Sequence, residues 1–164
     1  MPEKDVLDAL NKQVAMEEYA SRSYMSLGLW ADQEGFEGTA RFFYAQAEEE
    51  REHMKKIIKF ILSVGGKPVI SNYEERIPAG DSFKGLFETG LSHEEKVTRS
   101  IHKIVESAWG KKDYATFNFL QWFVEEQVEE EDMFRTILDK VNIIDEHGGS
   151  YYMLDRELAR RAGE

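Results

Sequence analysis

The sequence predicts an all-α protein: four long helices in one bundle, one long crossover between the second and third, and a short fifth helix at the end. Three observations predict it. Apolar residues recur at alternating spacings of three and four along four separate stretches, the pattern of a left-handed bundle. Only three prolines occur in 164 residues, so long tracts can propagate as helix without interruption. Hydrophobic residues make up 41% and charged residues 32%, which suits a globular chain with one substantial core. The expected organisation is a single domain over 1–164, with the bundle over about 3–143 and the short helix over about 150–161.

The first helix is expected from about Glu3 to Gln33, with a seam of Leu7, Leu10, Val14, Glu17, Ser21, Tyr24, Gly28 and Ala31. The second runs from about Phe36 to Val64 and stops at Gly65-Gly66, with Pro68 beyond. Its seam is Phe36, Ala40, Phe43, Ala47, Glu50, Met54, Ile57, Ile61 and Val64. The third is expected from Asp81, as N-cap, to about Trp109, with Phe83, Phe87, Gly90, Glu94, Val97, Ile101, Ile104 and Ala108 in its seam. The fourth is expected from about Asp113 to Ile143, with Thr116, Leu120, Phe123, Gln127, Glu130, Phe134, Ile137 and Val141.

The first and second helices, and the third and fourth, are joined by only a few residues, so each pair is expected to form an antiparallel hairpin. The link from Gly65 to Gly80 is longer. A helix the length of the second spans roughly 40 Å, and a link of this length reaches roughly 50 Å when extended. It can therefore run the length of the bundle and set the second and third helices parallel. After the fourth helix, His147-Gly148-Gly149-Ser150 breaks the pattern. Tyr151 to Arg161 can form a fifth helix too short and polar to stand alone, so it is expected to dock on this bundle or on a neighbouring copy.

Composition narrows function. The chain has no cysteine, which excludes disulfides and thiolate-bound metals and fits a reducing cytoplasm. No run of about 18 apolar residues is present, so no membrane span is expected, and Met1 to Asn11 lacks a signal-peptide apolar core. A net charge of −11 disfavours nucleic acid and favours cations as partners.

Each apolar seam is interrupted by a polar residue, and the interruptions share a level. Glu17, Glu50 and Glu94 lie near the middle of the first three helices, and Gln127 and Glu130 near the middle of the fourth. His53 follows Glu50 by three residues, on nearly the same face. In helices of similar length, mid-helix positions meet at one height. Any one such glutamate would ordinarily be an edge residue or half of a salt bridge, and a single histidine an ordinary hydrogen-bonded core residue. Four helices agreeing are not explained that way. Unpaired buried carboxylates are costly, and bound cations relieve both their desolvation and their repulsion. Oxygen ligands with one imidazole suit a pair of non-haem iron or manganese ions.

Along essentially its whole length the chain resembles the non-haem bacterial and archaeal ferritins. The resemblance rests on Glu17-Glu18-Tyr19 with Tyr24, on Ala47 to His53 (AEEEREH), on His93-Glu94, and on the highly specific string Phe119 to Glu131 (FLQWFVEEQVEEE). It implies that Glu17 and His53 bind a first iron, that Glu50 bridges, and that Glu94 and Glu130 bind a second. It places Gln127 beside the pair to orient oxygen or water, and Tyr24 in hydrogen-bonding reach. Glu49, Glu126 and Glu129 look like ligands of a third, adjacent iron. The implied activity is oxidation of Fe(II) by O₂ or H₂O₂, with Fe(III) stored as a ferric oxyhydroxide mineral in a hollow homo-oligomer of 24 copies, the fifth helix lining its four-fold axes.

Haem is not expected. The haem-binding relatives carry a methionine directly after the second-helix glutamate, where this chain has Arg51, and a fourth-helix histidine where it has Glu130. The alternatives are a di-iron peroxidase or oxidase without a storage role, and a structural bundle that uses its acidic belt only to specify the fold.

Overall fold

The computed structural model describes residues 1–163; Glu164, the last residue of the expected domain, lies outside them. Helix α1 spans Lys4–Gln33, α2 Glu37–Ser63, α3 Phe83–Gly110, α4 Tyr114–His147 and α5 Tyr152–Gly163. Among the described residues there is no strand. The seam positions of α3 and α4 are buried throughout, as expected of helices that present one stripe to a core.

The ends differ from expectation in two places. The cap of α3 is Ser82, whose hydroxyl accepts from the Gly85 N–H at 3.0 Å. The carboxylate of Asp81, the expected cap, instead accepts a bond from that hydroxyl. Helix α4 continues one turn past Ile143 and stops at Gly148, whose φ of +67° is a left-handed conformation that glycine adopts at little cost. Asp113 caps the start of α4 by accepting from the Thr116 N–H at 3.1 Å.

The link between α2 and α3 does cross the bundle, and it does so lying on α1. Asn11 holds its start, donating to the Lys67 carbonyl at 3.2 Å and accepting from the Val69 N–H at 2.8 Å. Farther along α1, the Tyr19 hydroxyl donates to the Arg76 carbonyl and the Ser26 hydroxyl to the Pro78 carbonyl. At the far end Gly80 lies against Trp30. Positions 11 to 30 thus meet positions 67 to 80 in the same order, over roughly 29 Å of helix. The link carbonyls of Lys67, Arg76 and Pro78 are satisfied by side chains of α1, and Tyr73 packs on Tyr19. This covers a second face of α1, where Tyr19 and Ser23 are buried outside its seam. The link enters α3 at the C-terminal end of α1, so α3 runs antiparallel to α1 and parallel to α2.

Helix α5 docks on its own bundle, against the start of α2. Phe36, at the α2 N-cap, offers no side-chain acceptor. The Asp155 carboxylate fills that role from α5, accepting from the Gly38 and Thr39 N–H groups at 3.2 and 2.8 Å and from the Thr39 hydroxyl at 2.7 Å. A negative group there also complements the helix dipole. A Cβ on Gly38 would lie 1.9 Å from the Asp155 carbonyl oxygen, so glycine is what admits the approach. Leu154 and Leu158 complete the contact, buried in the core cluster that includes Phe42.

The core is divided. One cluster, rich in aromatics, gathers Tyr24, Phe42, Phe43, Phe83, Phe87 and Phe134 towards the C-terminal end of α1. The other gathers Val6, Leu10, Val14, Ile57, Ile61, Ile101 and Phe123 at the opposite end. The polar belt lies between them.

Candidate metal centre

The six belt residues converge in the interior, where none is more than 5% exposed: Glu17, Glu50, His53, Glu94, Gln127 and Glu130. On α1 and α2, Glu17, Glu50 and His53 each offer a ligand atom within 4.8 Å of the others. The His53 Nδ1 lies 3.1 Å from Glu50 Oε2, and its ring packs edge-on against Trp122 and Phe123. Across the bundle, Glu94 is fixed at both ends of its carboxylate. The Tyr24 hydroxyl donates to Oε1, and the Gln127 amide donates to Oε2 at 3.0 Å and to the Glu94 carbonyl at 3.2 Å.

A second carboxylate group opens outward from the first. Glu49, Glu126 and Glu130 offer oxygens within 4.8 Å of one another. They line a cavity of about 500 Å³ whose walls also include Glu129, Gln46, Met133 and Arg161. The His53 Nε2 stands 3.8 Å from Glu126 Oε1, between the two groups. Glu94 and Glu129 lie outside both compact groups. Glu94 stays beside Tyr24 and Gln127, and the exposed Glu129 lies on the cavity wall.

The electrostatics are those of a site awaiting positive charge. Burial, then the charges of Glu94 and Glu17, push the Glu50 carboxyl well above the usual range. Burial, then Glu94, Glu49 and Glu126, push Glu130 up to about 9. Glu126 is raised mainly by burial, with His53 opposing. The Tyr24 hydroxyl is held well above its ordinary value by burial and the charge of Glu94, so it stays a hydrogen-bond donor. Glu17 Oε2 and Glu130 Oε2 are buried with no hydrogen-bond partner. Buried carboxylate oxygens are rarely left so, and cations fit them: an oxygen-rich set with one imidazole suits iron.

A family comparison settles what kind of chain carries this arrangement. The ferritin-like domain family matches residues 7–144. The chain belongs to the ferritin family. It is 41% identical over 158 residues to a probable bacterial non-heme ferritin-like protein of Haemophilus influenzae, covering 96% of each chain. It is 38% identical to a bacterial non-heme ferritin of Campylobacter jejuni, covering 96% of this chain and 95% of that one. The open-pore ferritin of the archaeon Archaeoglobus fulgidus superposes with a TM-score of 0.91 at 37% identity, covering 96% of each chain.

Three polar residues that brace the belt carry no signal in the seam pattern. The Gln13 amide donates to Glu17 Oε1 at 2.8 Å, and its own oxygen accepts from the Ser100 hydroxyl at 2.5 Å. Thr98 accepts from the Gln127 amide at 3.3 Å and donates to Glu131. Gln13 precedes Glu17 by four residues and Thr98 follows Glu94 by four, so the helical neighbour rule would have found both. Arg51 is exposed, and Met54 packs against the second core cluster.

Proposed function

We propose that this chain is an iron-storage ferritin subunit that oxidises Fe(II) at the belt of carboxylates in its core. The observation that carries the reading is the convergence of Glu17, Glu50, His53, Glu94 and Glu130, buried, mutually repelling and partly unpartnered, in a chain of this family. In this reading Glu17 and His53 hold one Fe(II), Glu94 and Glu130 hold a second, and Glu50 bridges them. The ions supply the electrons that reduce O₂ or peroxide.

The chain's own groups position and neutralise. At neutral pH the Glu130 carboxyl, raised to about 9, retains a proton in the metal-free protein, and an arriving cation displaces it. Burial and the charges of Glu94 and Glu17 raise the Glu50 carboxyl in the same direction. Tyr24 and Gln127 hold Glu94 in place by donating to its two oxygens. Gln13, braced by Ser100, does the same for Glu17. Such outer contacts fix a ligand's orientation before the metal arrives. The outer cavity of Glu49, Glu126 and Glu129, sharing Glu130, is a third and more open cation site through which iron passes towards the mineral.

Storage requires a shell, and 24 copies of this chain in the cytoplasm is the assembly we infer. Exposed Met25, Leu29, Trp109, Tyr114, Tyr152 and Met153 support burial between copies. Among the described residues no helix is long and apolar enough to cross a membrane. Electron microscopy of protein loaded aerobically with Fe(II) tests storage. A hollow particle with an electron-dense core is expected; a small oligomer that oxidises iron and holds no core would favour a di-iron oxidase without storage.

A further inference from the structure

The outer cavity contains a second unpartnered oxygen besides that of Glu130. Gln46, on α2 and only 5% exposed, lines the cavity together with Glu49, Glu126, Glu129 and Glu130. Its amide nitrogen is engaged within the same wall, 3.5 Å from Glu49 Oε2 and 3.8 Å from the Met133 sulfur. With the nitrogen turned to the carboxylate, the oxygen is left free. Gln46 Oε1 is buried and accepts no hydrogen bond, like Glu130 Oε2. No donor among the described side chains reaches either atom. The one positive group on the wall, Arg161 of α5, makes its ion pair with Glu157 at 3.9 Å. Buried acceptors without donors are uncommon because water has been lost and nothing replaces it. Two of them in one acidic cavity share an explanation if the partner is a metal ion, which needs oxygen lone pairs and no donor.

We propose that Gln46 supplies a neutral amide-oxygen ligand to a cation held in the outer cavity. This rests on reading that cavity as a cation site. It adds a residue that the acidic pattern does not reveal. A glutamine carbonyl is an ordinary ligand for oxygen-loving cations, and it fills a coordination position without adding to the charge of four clustered carboxylates. A neutral ligand keeps the site weaker than an all-carboxylate cage, which suits an ion in transit.

The test is anaerobic Fe(II) titration by calorimetry on the assembled full-length protein. Wild type binds three ions per chain. Gln46→Leu, close in volume, is expected to weaken the third ion about tenfold while the first two bind as in wild type. Gln46→Glu restores an oxygen at that position and is expected to bind the third ion at least as tightly as wild type; this rescue separates ligation from packing. A third ion of unchanged affinity in Gln46→Leu, with that same ion lost in a Glu49→Ala, Glu126→Ala, Glu129→Ala variant, would overturn the Gln46 assignment alone. A third ion that survives the triple substitution would overturn the outer site itself. Should the leucine variant fail to assemble, Gln46→Glu alone decides: a weaker third ion there contradicts the proposal.

Discussion

Replacing Glu130 by glutamine should stabilise the metal-free protein, by an amount that depends on pH. In the fold this carboxyl lies at about 9, against an ordinary value of 4.5. Between those values the folded chain holds a proton that the unfolded chain has lost, so stability falls as pH rises through the window. Below 4.5 both states are protonated and the contribution is fully present. At pH 7 the difference is two and a half pH units, or about 3 kcal/mol; at pH 5 it is under about 1 kcal/mol. Glutamine resembles the protonated acid in shape and does not titrate, so the variant escapes this loss. For a chain of this size about 3 kcal/mol corresponds to a melting temperature roughly 6–12 °C higher. Calorimetry in chelator, at equal protein concentration, should show that gain at pH 7 and little of it at pH 5. A lower melting temperature, or equal gains at both pH values, would refute the view that the belt is stored repulsion and would point to a structural partner of Glu130.

Further outcomes follow from the same structure. Asp155→Ala should cost about 1–2 kcal/mol, because it uncaps α2 and unpins α5 together, with Asp155→Asn intermediate; thermal melts compare them. Deleting Tyr151 to Glu164 should impair assembly more than iron oxidation, since α5 adds no residue to the inner belt; light scattering on size-exclusion fractions should find smaller or leaky particles, and intact stable shells would contradict it. Protein expressed with ample haem should show no Soret band at one haem per two chains, because Arg51 stands where a ligating methionine would be needed.

The bundle was legible because each of α3 and α4 buries a single stripe, and a stripe of one kind of residue leaves a period in the sequence. Helix α1 showed its seam as well, with the seam positions from Leu10 to Ala31 buried as read, but not its second face under the crossover, because the polar residues that bond the crossover, Asn11, Tyr19 and Ser26, look like solvated ones. The inner site was legible for a related reason: Glu17, Glu50, Glu94, Gln127 and Glu130 break apolar runs, and a break in a pattern stands out. Gln13 and Thr98 break no apolar run, and only their four-residue spacing from Glu17 and Glu94 marks them. Gln46 has no such mark, and its burial became visible only once neighbouring helices were in place. The Asp155 cap lay beyond reach because its acceptor and donors are 116 residues apart. Ser82 and Asp81 are adjacent residues of equal capping strength, and backbone geometry decides between them.

Glu50 is the one residue assigned to both ions of the pair, so its loss should disable the centre most directly. Stopped-flow absorbance of Fe(II) oxidation by O₂ should show a fast phase in wild type. Glu50→Ala should abolish that phase while the protein still assembles to its wild-type size. A wild-type fast phase in an assembled Glu50→Ala protein would contradict the bridging role and, with it, the di-iron reading of the site.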